Sequence, residues 1–241
     1  RHAITVLPAV SSLRALRTFA KRSRAAEPFI GIGDPVFQRP GPTARAPAGQ
    51  QVATARGYAD FFRGAEANLD VLEQGLRPLP NTAIELRAVA RTLGAKDADV
   101  ILGPPASETT VKKLSEEGRL ERSRVVHFAT HALVAGEIKG RAEPSLVLSL
   151  PATASETDDG LLTASEVAGL KLNADWVVLS ACNTAAGDKP GAEALSGLAK
   201  AFFYAGTRAL LVSHWPVEDV AGAVLVTWTF KELADNPAIG R

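Results

Sequence analysis

The sequence alternates short apolar runs with longer segments in which apolar residues recur every three or four positions. The short apolar runs predict strands, and the segments with apolar residues every three or four positions predict helices. The clearest strand is the Trp-Val-Val-Leu-Ser segment at 176–180, whose apolar run is expected of a strand buried on both faces. Strands that are separated by helices build a mostly parallel sheet with helices on both faces, so the predicted fold class is α/β.

Further strands and the helices between them complete this pattern. Strands are predicted at 3–6, 29–33, 99–102, 124–129, 145–150 and 209–213. Helices are predicted at 11–24, 82–94, 108–114, 165–169, 193–204 and 218–233. Thr82 with Glu85, and Thr163 with Glu166, each fit a capping box, in which the two side chains bond to the first N–H groups of a helix. Gly206 predicts the end of the helix at 193–204.

Composition limits the number of domains and the classes of partner. The 241 residues are 46% hydrophobic and 22% charged, which predicts a single domain at 1–241 with one sizeable core. The net charge is +1, so neither nucleic acid nor a membrane surface is expected as a direct partner. No apolar run approaches the roughly 20 residues that span a bilayer. Residues 38–57 are rich in Pro, Gly, Ala, Arg and Gln, and they predict an exposed flexible loop.

The chain has one cysteine, Cys182, and no methionine. A single cysteine excludes an internal disulfide and a Cys-rich zinc site, and a reducing compartment such as the cytoplasm is the simplest location. Because the chain begins with Arg1, we expect it to be a fragment of a longer protein. It lacks a glycine-rich phosphate loop and the serine motif of α/β-hydrolases, and no cofactor is predicted.

Two residues with catalytic chemistry follow predicted strands. His131 lies two residues past strand 124–129, and Cys182 lies two residues past strand 176–180. Active residues in parallel sheets collect beyond the carboxyl ends of the strands, so neighbouring strands would bring these two within reach. A nearby imidazole can convert a thiol into the nucleophilic thiolate. The alternative for Cys182 is a small hydrophobic residue in the core, a common role of free cysteine.

Other polar candidates have structural interpretations. His127 lies inside strand 124–129 and is predicted to be a packed, hydrogen-bonded residue, because a His-x-x-x-His pair does not converge on a metal from a strand as it does from a helix. No metal site is predicted. The acidic pairs at 158–159 and 218–219 suit a turn and a helix start, with recognition of a basic substrate side chain as the alternative. His214 follows strand 209–213 and is a candidate for lining a cleft.

Several segments in a fixed order resemble the CHAT domain, a family named for its association with tetratricopeptide repeats. The segments are Val-Val-His-Phe-Ala-Thr-His at 125–131, Leu-Ser-Ala-Cys-Asn-Thr-Ala at 179–185, Gly-Ala-Glu-Ala-Leu-Ser-Gly-Leu at 191–198, Ala-Phe-Phe-Tyr-Ala-Gly at 201–206 and Leu-Leu-Val-Ser-His-Trp-Pro-Val at 210–217. The family belongs to the caspase-like and separase-like clan of cysteine peptidases. The resemblance covers roughly residues 1–233 and implies a caspase-like three-layer α/β/α sandwich with a mostly parallel central sheet.

Carried over position by position, the resemblance implies a cysteine endopeptidase. It makes Cys182 the nucleophile and His131 the general base of a dyad. It assigns the oxyanion hole to the backbone N–H groups of Cys182 and Ala132. The implied substrate is a peptide or protein, and the implied regulator is an adjacent tetratricopeptide-repeat domain or a partner protein.

The same resemblance indicates where a substrate would bind. Related separases use an acidic residue to recognise arginine, and Glu218 and Asp219 lie in the corresponding region after Trp215. These three residues are therefore candidates for substrate binding.

Position 132 departs from the family pattern, because a glycine commonly follows the histidine and this chain has Ala132. If the backbone there needs a positive φ, alanine would be strained and the oxyanion hole weakened. This departure supports a second hypothesis, a catalytically silent member of the family that acts as an interaction or signalling module.

Overall fold

The computed structural model describes residues 23–39, 65–66, 69–133, 138–139, 143–180, 196–212 and 219–236. Its centre is a five-stranded sheet in which every neighbouring pair of strands is parallel. The order across the sheet is β10 (Leu210–Val212), β9 (Trp176–Leu179), β4 (Ser123–Ala129), β1 (Glu27–Gly33) and β3 (Val100–Leu102). The predicted mostly parallel sheet is confirmed.

Two smaller sheets accompany the central one. The first is antiparallel and consists of β5 (His131–Leu133), β7 (Ser145–Val147) and β8 (Leu161–Thr163). The second pairs β2 (Ala65–Glu66) with β6 (Ile138–Lys139) in parallel. Because β5 begins two residues after β4 ends, a single turn connects the central sheet to the antiparallel sheet.

The helices alternate with groups of strands along the chain, and the last helix follows β10. They are α1 (Leu69–Gly75), α2 (Pro80–Leu93), α3 (Glu108–Glu116), α4 (Arg119–Arg122), α5 (Ala164–Ala168), α6 (Ser196–Ala205) and α7 (Asp219–Asp235).

Helices cover both faces of the central sheet because its strands alternate their side chains between two cores. Val126 and Phe128 of β4 lie in a core that includes residues of α3, α4, α5 and α6. Val125 and Ala129 of the same strand lie in the opposite core, which includes residues of α2 and α7. The three-layer α/β/α sandwich is therefore confirmed.

A third apolar cluster packs α1 against the antiparallel sheet. Its buried members are Phe37, Leu69, Leu72, Leu76, Leu133, Val147, Leu150 and Leu161. This cluster is the environment of β5, the strand that begins with His131.

One of the two predicted capping boxes is confirmed and the other is wrong. Thr163 and Glu166 form the expected reciprocal cap at the start of α5. In contrast, α2 begins at Pro80 after Leu79, because proline is preorganised for the first helical position. Thr82 instead donates a hydrogen bond to the Leu79 carbonyl at 2.7 Å, and its hydroxyl accepts the N–H of Asp34 at 2.9 Å.

Other predicted boundaries shift by a few residues. Strand 145–150 ends at Val147, because the N–H groups of Ser149 and Leu150 bond to the carbonyls of Ala106 and Val36 in loops. Gly206 ends α6 as predicted, with a φ of 114°. The helix predicted at 11–24 lies outside the described residues except for 23–24. The loop predicted at 38–57 lies outside them except for 38–39. No helix in the described part of the chain is long and apolar enough to cross a membrane.

Candidate active site

His131 stands at the carboxyl edge of the central sheet. β4 ends at Ala129, and the chain turns through Thr130 into β5, whose first residue is His131. The Thr130 hydroxyl donates a hydrogen bond to the carbonyl of Val147, and His131 lies opposite Val147 in the β5–β7 pair. These contacts tie the histidine to the antiparallel sheet where the chain leaves β4. The prediction that His131 directly follows a strand is confirmed.

A backbone carbonyl holds the imidazole of His131. Its Nε2 lies 2.8 Å from the carbonyl oxygen of Arg77, which is in the connection between α1 and α2. Because a carbonyl oxygen only accepts hydrogen bonds, Nε2 carries the hydrogen and Nδ1 carries the lone pair of the neutral ring. The ring of Phe37 packs beside it, with centroids 5.2 Å apart. The contact with Arg77 thus selects one tautomer, in which Nδ1 is the basic atom.

Burial determines the charge of this imidazole. The side chain of His131 is only 5% exposed. Burial lowers its pKa to about 4, and the hydrogen bond to the Arg77 carbonyl opposes that shift without cancelling it. His131 is therefore neutral at pH 7. A neutral ring with a lone pair at Nδ1 is able to accept a proton, as a general base must, and its lowered pKa makes it a weaker base than an exposed histidine.

The strand that leads to Cys182 is the neighbour of β4. β9 pairs with β4 so that Phe128 lies opposite Leu179, and the N–H of Ser180 donates to the Phe128 carbonyl at 2.9 Å. The two strands therefore end at the same level, and the prediction that their ends lie side by side is confirmed. Cys182 follows Ser180 by two residues and lies outside the described residues.

The predicted substrate-binding residues also fall mostly outside the described part. His214, Trp215 and Glu218 are outside it, and Asp219 is described only through its backbone, as the first residue of α7. Their proposed contacts with substrate stay predictions.

The acidic pair at 158–159 belongs to a turn, as the sequence indicates. The Asp158 carboxylate accepts a hydrogen bond from the Thr109 hydroxyl at 2.5 Å, next to the start of α3. The Asp159 carboxylate accepts the N–H of Leu161 at 3.0 Å. Both carboxylates thus bond to neighbouring parts of the fold.

Ala132 is a strand residue and not a strained turn residue. It lies in β5 opposite Leu146 and is buried. Among the described residues, Asp34 is the non-glycine residue with a positive φ, so Ala132 does not need the conformation that favours glycine. The condition for strain at this position, a positive φ, is therefore not met.

His127 belongs to a cluster with Glu85, which is also buried, and Ser180, which is half-buried; the three residues are called the polar cluster. The Ser180 hydroxyl donates to Glu85 Oε1 at 2.5 Å, and His127 Nε2 lies 2.9 Å from both Ser180 Oγ and Glu85 Oε1. His127 is fully buried, with its ring in an edge contact with Phe29. The prediction of a packed, hydrogen-bonded strand residue is confirmed.

The two histidines do not form a shared metal site. His127 contacts Phe29 and His131 contacts Phe37, which belong to different apolar cores. No group of three or more His, Cys, Asp or Glu side chains among the described residues is arranged to hold a metal ion.

Sequence reasoning missed two participants, Glu85 and Arg77. Glu85 lies on the buried face of α2 with Leu86 and Val89. A carboxylate on an otherwise apolar helix face indicates a buried polar partner, because an unpaired buried carboxylate is costly. Arg77 offers no such signal, because it contributes a backbone carbonyl that any residue type would supply.

Comparison with known proteins gives two findings. The family described as "CHAT domain" matches residues 1–240. The mouse protein "Tetratricopeptide repeat protein 28" is 28% identical over 189 residues, which cover 66% of this chain and 7% of that protein. The chain therefore spans only a small part of this relative. No solved structure matches the chain.

Proposed function

This chain belongs to the CHAT domain family, and from that membership we propose that it is a cysteine endopeptidase with Cys182 as nucleophile and His131 as general base. The observation that carries the proposal is the state of His131. The side chain is neutral, its Nε2–H is held by the Arg77 carbonyl, and it stands at the end of β4, beside the strand that leads to Cys182.

The proposed first step is acylation of Cys182. Nδ1 of His131 takes the thiol proton, and the thiolate attacks the carbonyl carbon of the scissile peptide bond. The backbone N–H groups of Ala132 and Cys182 would bind the resulting oxyanion. The imidazolium then gives its proton to the leaving amine as the C–N bond breaks, which leaves a thioester on Cys182.

The second step is hydrolysis of the thioester. His131 takes a proton from water, the hydroxide oxygen attacks the thioester carbonyl, and the C–S bond breaks. The products are a carboxylic acid and the free thiol of Cys182, which recovers the proton. The Arg77 carbonyl supports both steps, because it keeps the hydrogen of the neutral ring on Nε2 and because its partial negative charge favours the imidazolium that forms at each step.

The substrate and regulation are also proposals. The substrate would be a peptide or protein, with Trp215, Glu218 and Asp219 near its binding site and a basic side chain as the favoured specificity. The relative's name supports control by tetratricopeptide repeats, either in the same protein or in a partner. The single cysteine suits a reducing compartment such as the cytoplasm.

The burial of His131 favours one alternative. A side chain that is 5% exposed has little room to meet a substrate, which is expected of a catalytically silent domain that acts as an interaction module. In that case the thiol of Cys182 would have no more than ordinary reactivity.

Labelling with peptide probes that carry an electrophile and an arginine, lysine or aspartate at P1 tests the proposal. The variants Cys182→Ala and His131→Ala would be compared with the wild-type protein, with folding of each checked by circular dichroism. We expect saturable labelling of Cys182 that requires His131 and prefers a basic P1 residue. Folded wild-type protein that stays unlabelled, both alone and with its tetratricopeptide-repeat partner, would favour the silent module.

A further inference from the structure

The polar cluster joins three elements that are distant in the sequence. Glu85 lies on α2, His127 on β4 and Ser180 directly after β9. Glu85 Oε1 is the common partner, since the Ser180 hydroxyl donates to it and His127 Nε2 lies 2.9 Å from it. Glu85 is 2% exposed and His127 is 0% exposed, so solvent contributes little to these contacts.

Such a cluster restricts geometry more than apolar packing does. Burying a carboxylate costs free energy that its hydrogen bonds must offset, whereas apolar side chains of similar volume would fill the same space without that cost. Hydrogen bonds are directional, so the cluster fixes the orientation of the Ser180 side chain against two other elements. Nδ1 of His127 has no hydrogen-bond partner among the described residues, so the ring is anchored there through Nε2.

The polar cluster is not arranged as a second catalytic centre. In a Ser-His-acid triad the serine and the acid bind opposite nitrogens of the imidazole. Here Ser180 and Glu85 both contact Nε2 of His127. His127 and Glu85 are also buried, so a substrate has no access to either side chain.

Its position relates it to the proposed dyad instead. Ser180 is two residues before Cys182 in the chain, and its N–H also bonds to the Phe128 carbonyl. Glu85 follows shortly after Arg77 in the chain, and the carbonyl of Arg77 accepts the hydrogen bond from His131. One stretch of chain at 77–85 therefore contacts both the base and the strand end that leads to the nucleophile.

We infer that Glu85, His127 and Ser180 are positioning residues, which hold the end of β9 so that Cys182 meets His131 in a reactive arrangement. This inference rests on the proposed peptidase function. It assigns the three residues no contact with the substrate; they act through the placement of Cys182.

Ser180→Ala is the variant that tests the inference, because it removes one hydroxyl and leaves the packing nearly unchanged. Glu85→Ala would remove the common acceptor from a buried cluster and is expected to destabilise the fold. Ser123→Ala is the control variant, since Ser123 is a buried serine whose hydroxyl donates to the Arg119 carbonyl at 2.9 Å at the opposite end of β4. Ser180→Thr keeps the hydroxyl and serves as the rescue variant.

The measurement is the rate constant kinact and the constant KI for labelling of Cys182 by the peptide probe, together with the melting temperature. We expect Ser180→Ala to lower kinact about tenfold at nearly unchanged KI, because a small misplacement of a reacting group slows the chemical step. Ser180→Thr is expected to restore most of kinact. Ser123→Ala is expected to lower the melting temperature and leave kinact unchanged.

Two results would overturn the inference, and they are distinguishable. If the wild-type protein labels in a His131-dependent way and Ser180→Ala matches its kinact, the positioning role is refuted and the peptidase proposal stands. If the wild-type protein does not label, the peptidase proposal fails and the positioning role fails with it.

Discussion

The neutral state of His131 predicts how the stability of the protein depends on pH. Burial lowers the pKa of His131 to about 4, whereas the unfolded chain has the ordinary value near 6.5. Between these values the unfolded state binds a proton that the folded state does not bind. The stabilising contribution is therefore complete above pH 6.5 and is lost as the pH falls through 4.

The size of the effect follows from the shift. A difference of roughly 2.5 pKa units at about 1.4 kcal/mol per unit gives about 3 kcal/mol, which the wild-type protein loses between pH 7 and pH 3.5. His131→Gln lacks the titrating group and does not lose this contribution. The difference in unfolding free energy between the two proteins isolates His131, because every other titrating residue is common to both.

Urea unfolding of the wild-type protein and His131→Gln at pH 3.5, 5, 6.5 and 8 measures that difference. We expect the wild-type protein to lose about 3 kcal/mol relative to the variant on going from the highest to the lowest pH. A constant difference would refute the buried, neutral histidine. A difference of the opposite sign would mean that His131 is an imidazolium paired with an anion, such as the Cys182 thiolate, in the folded state.

Three further predictions concern stability. Burial raises the pKa of Glu108 to about 7, so its stabilising contribution is present at low pH and is lost as the pH rises from 4.5 through 7. Urea unfolding at pH 5 and 8 should therefore show the wild-type protein losing up to about 2.5 kcal/mol more than Glu108→Gln, and equal losses would contradict the shift. Gly206→Ala would place a Cβ 2.2 Å from the Leu172 carbonyl oxygen at a φ of 114°, and we expect a far larger drop in melting temperature than for Gly94→Ala, whose added Cβ meets open space. Phe202→Ala should lower the unfolding free energy by about 3–5 kcal/mol, because Phe202 is 0% exposed. Phe203→Ala should lower it by less than about 1 kcal/mol, because Phe203 is 51% exposed. Similar losses for the two variants would contradict the assigned buried face of α6.

The pattern of apolar residues determined most of the architecture. Apolar runs located the five central strands, and spacings of three and four located α2, α3, α5, α6 and α7, although their ends shifted. Local chemistry also settled some boundaries, such as the cap at Thr163 and the helix end at Gly206. Strand ends in a parallel sheet meet at one edge, so the position of His131 after β4 followed from the order of residues alone.

The tertiary structure decided which partners the polar groups have. Glu85 fits a cap by its spacing from Thr82, but Pro80 starts the helix earlier and the carboxylate bonds to Ser180, 95 residues away. The Arg77 carbonyl that selects the tautomer of His131 has no residue-specific signal at all. Periodicity predicts which face of an element is buried, because the burial of apolar area depends on residue type. It does not predict which distant backbone or side-chain atom a buried polar group contacts, because only the packing of the elements brings those atoms together.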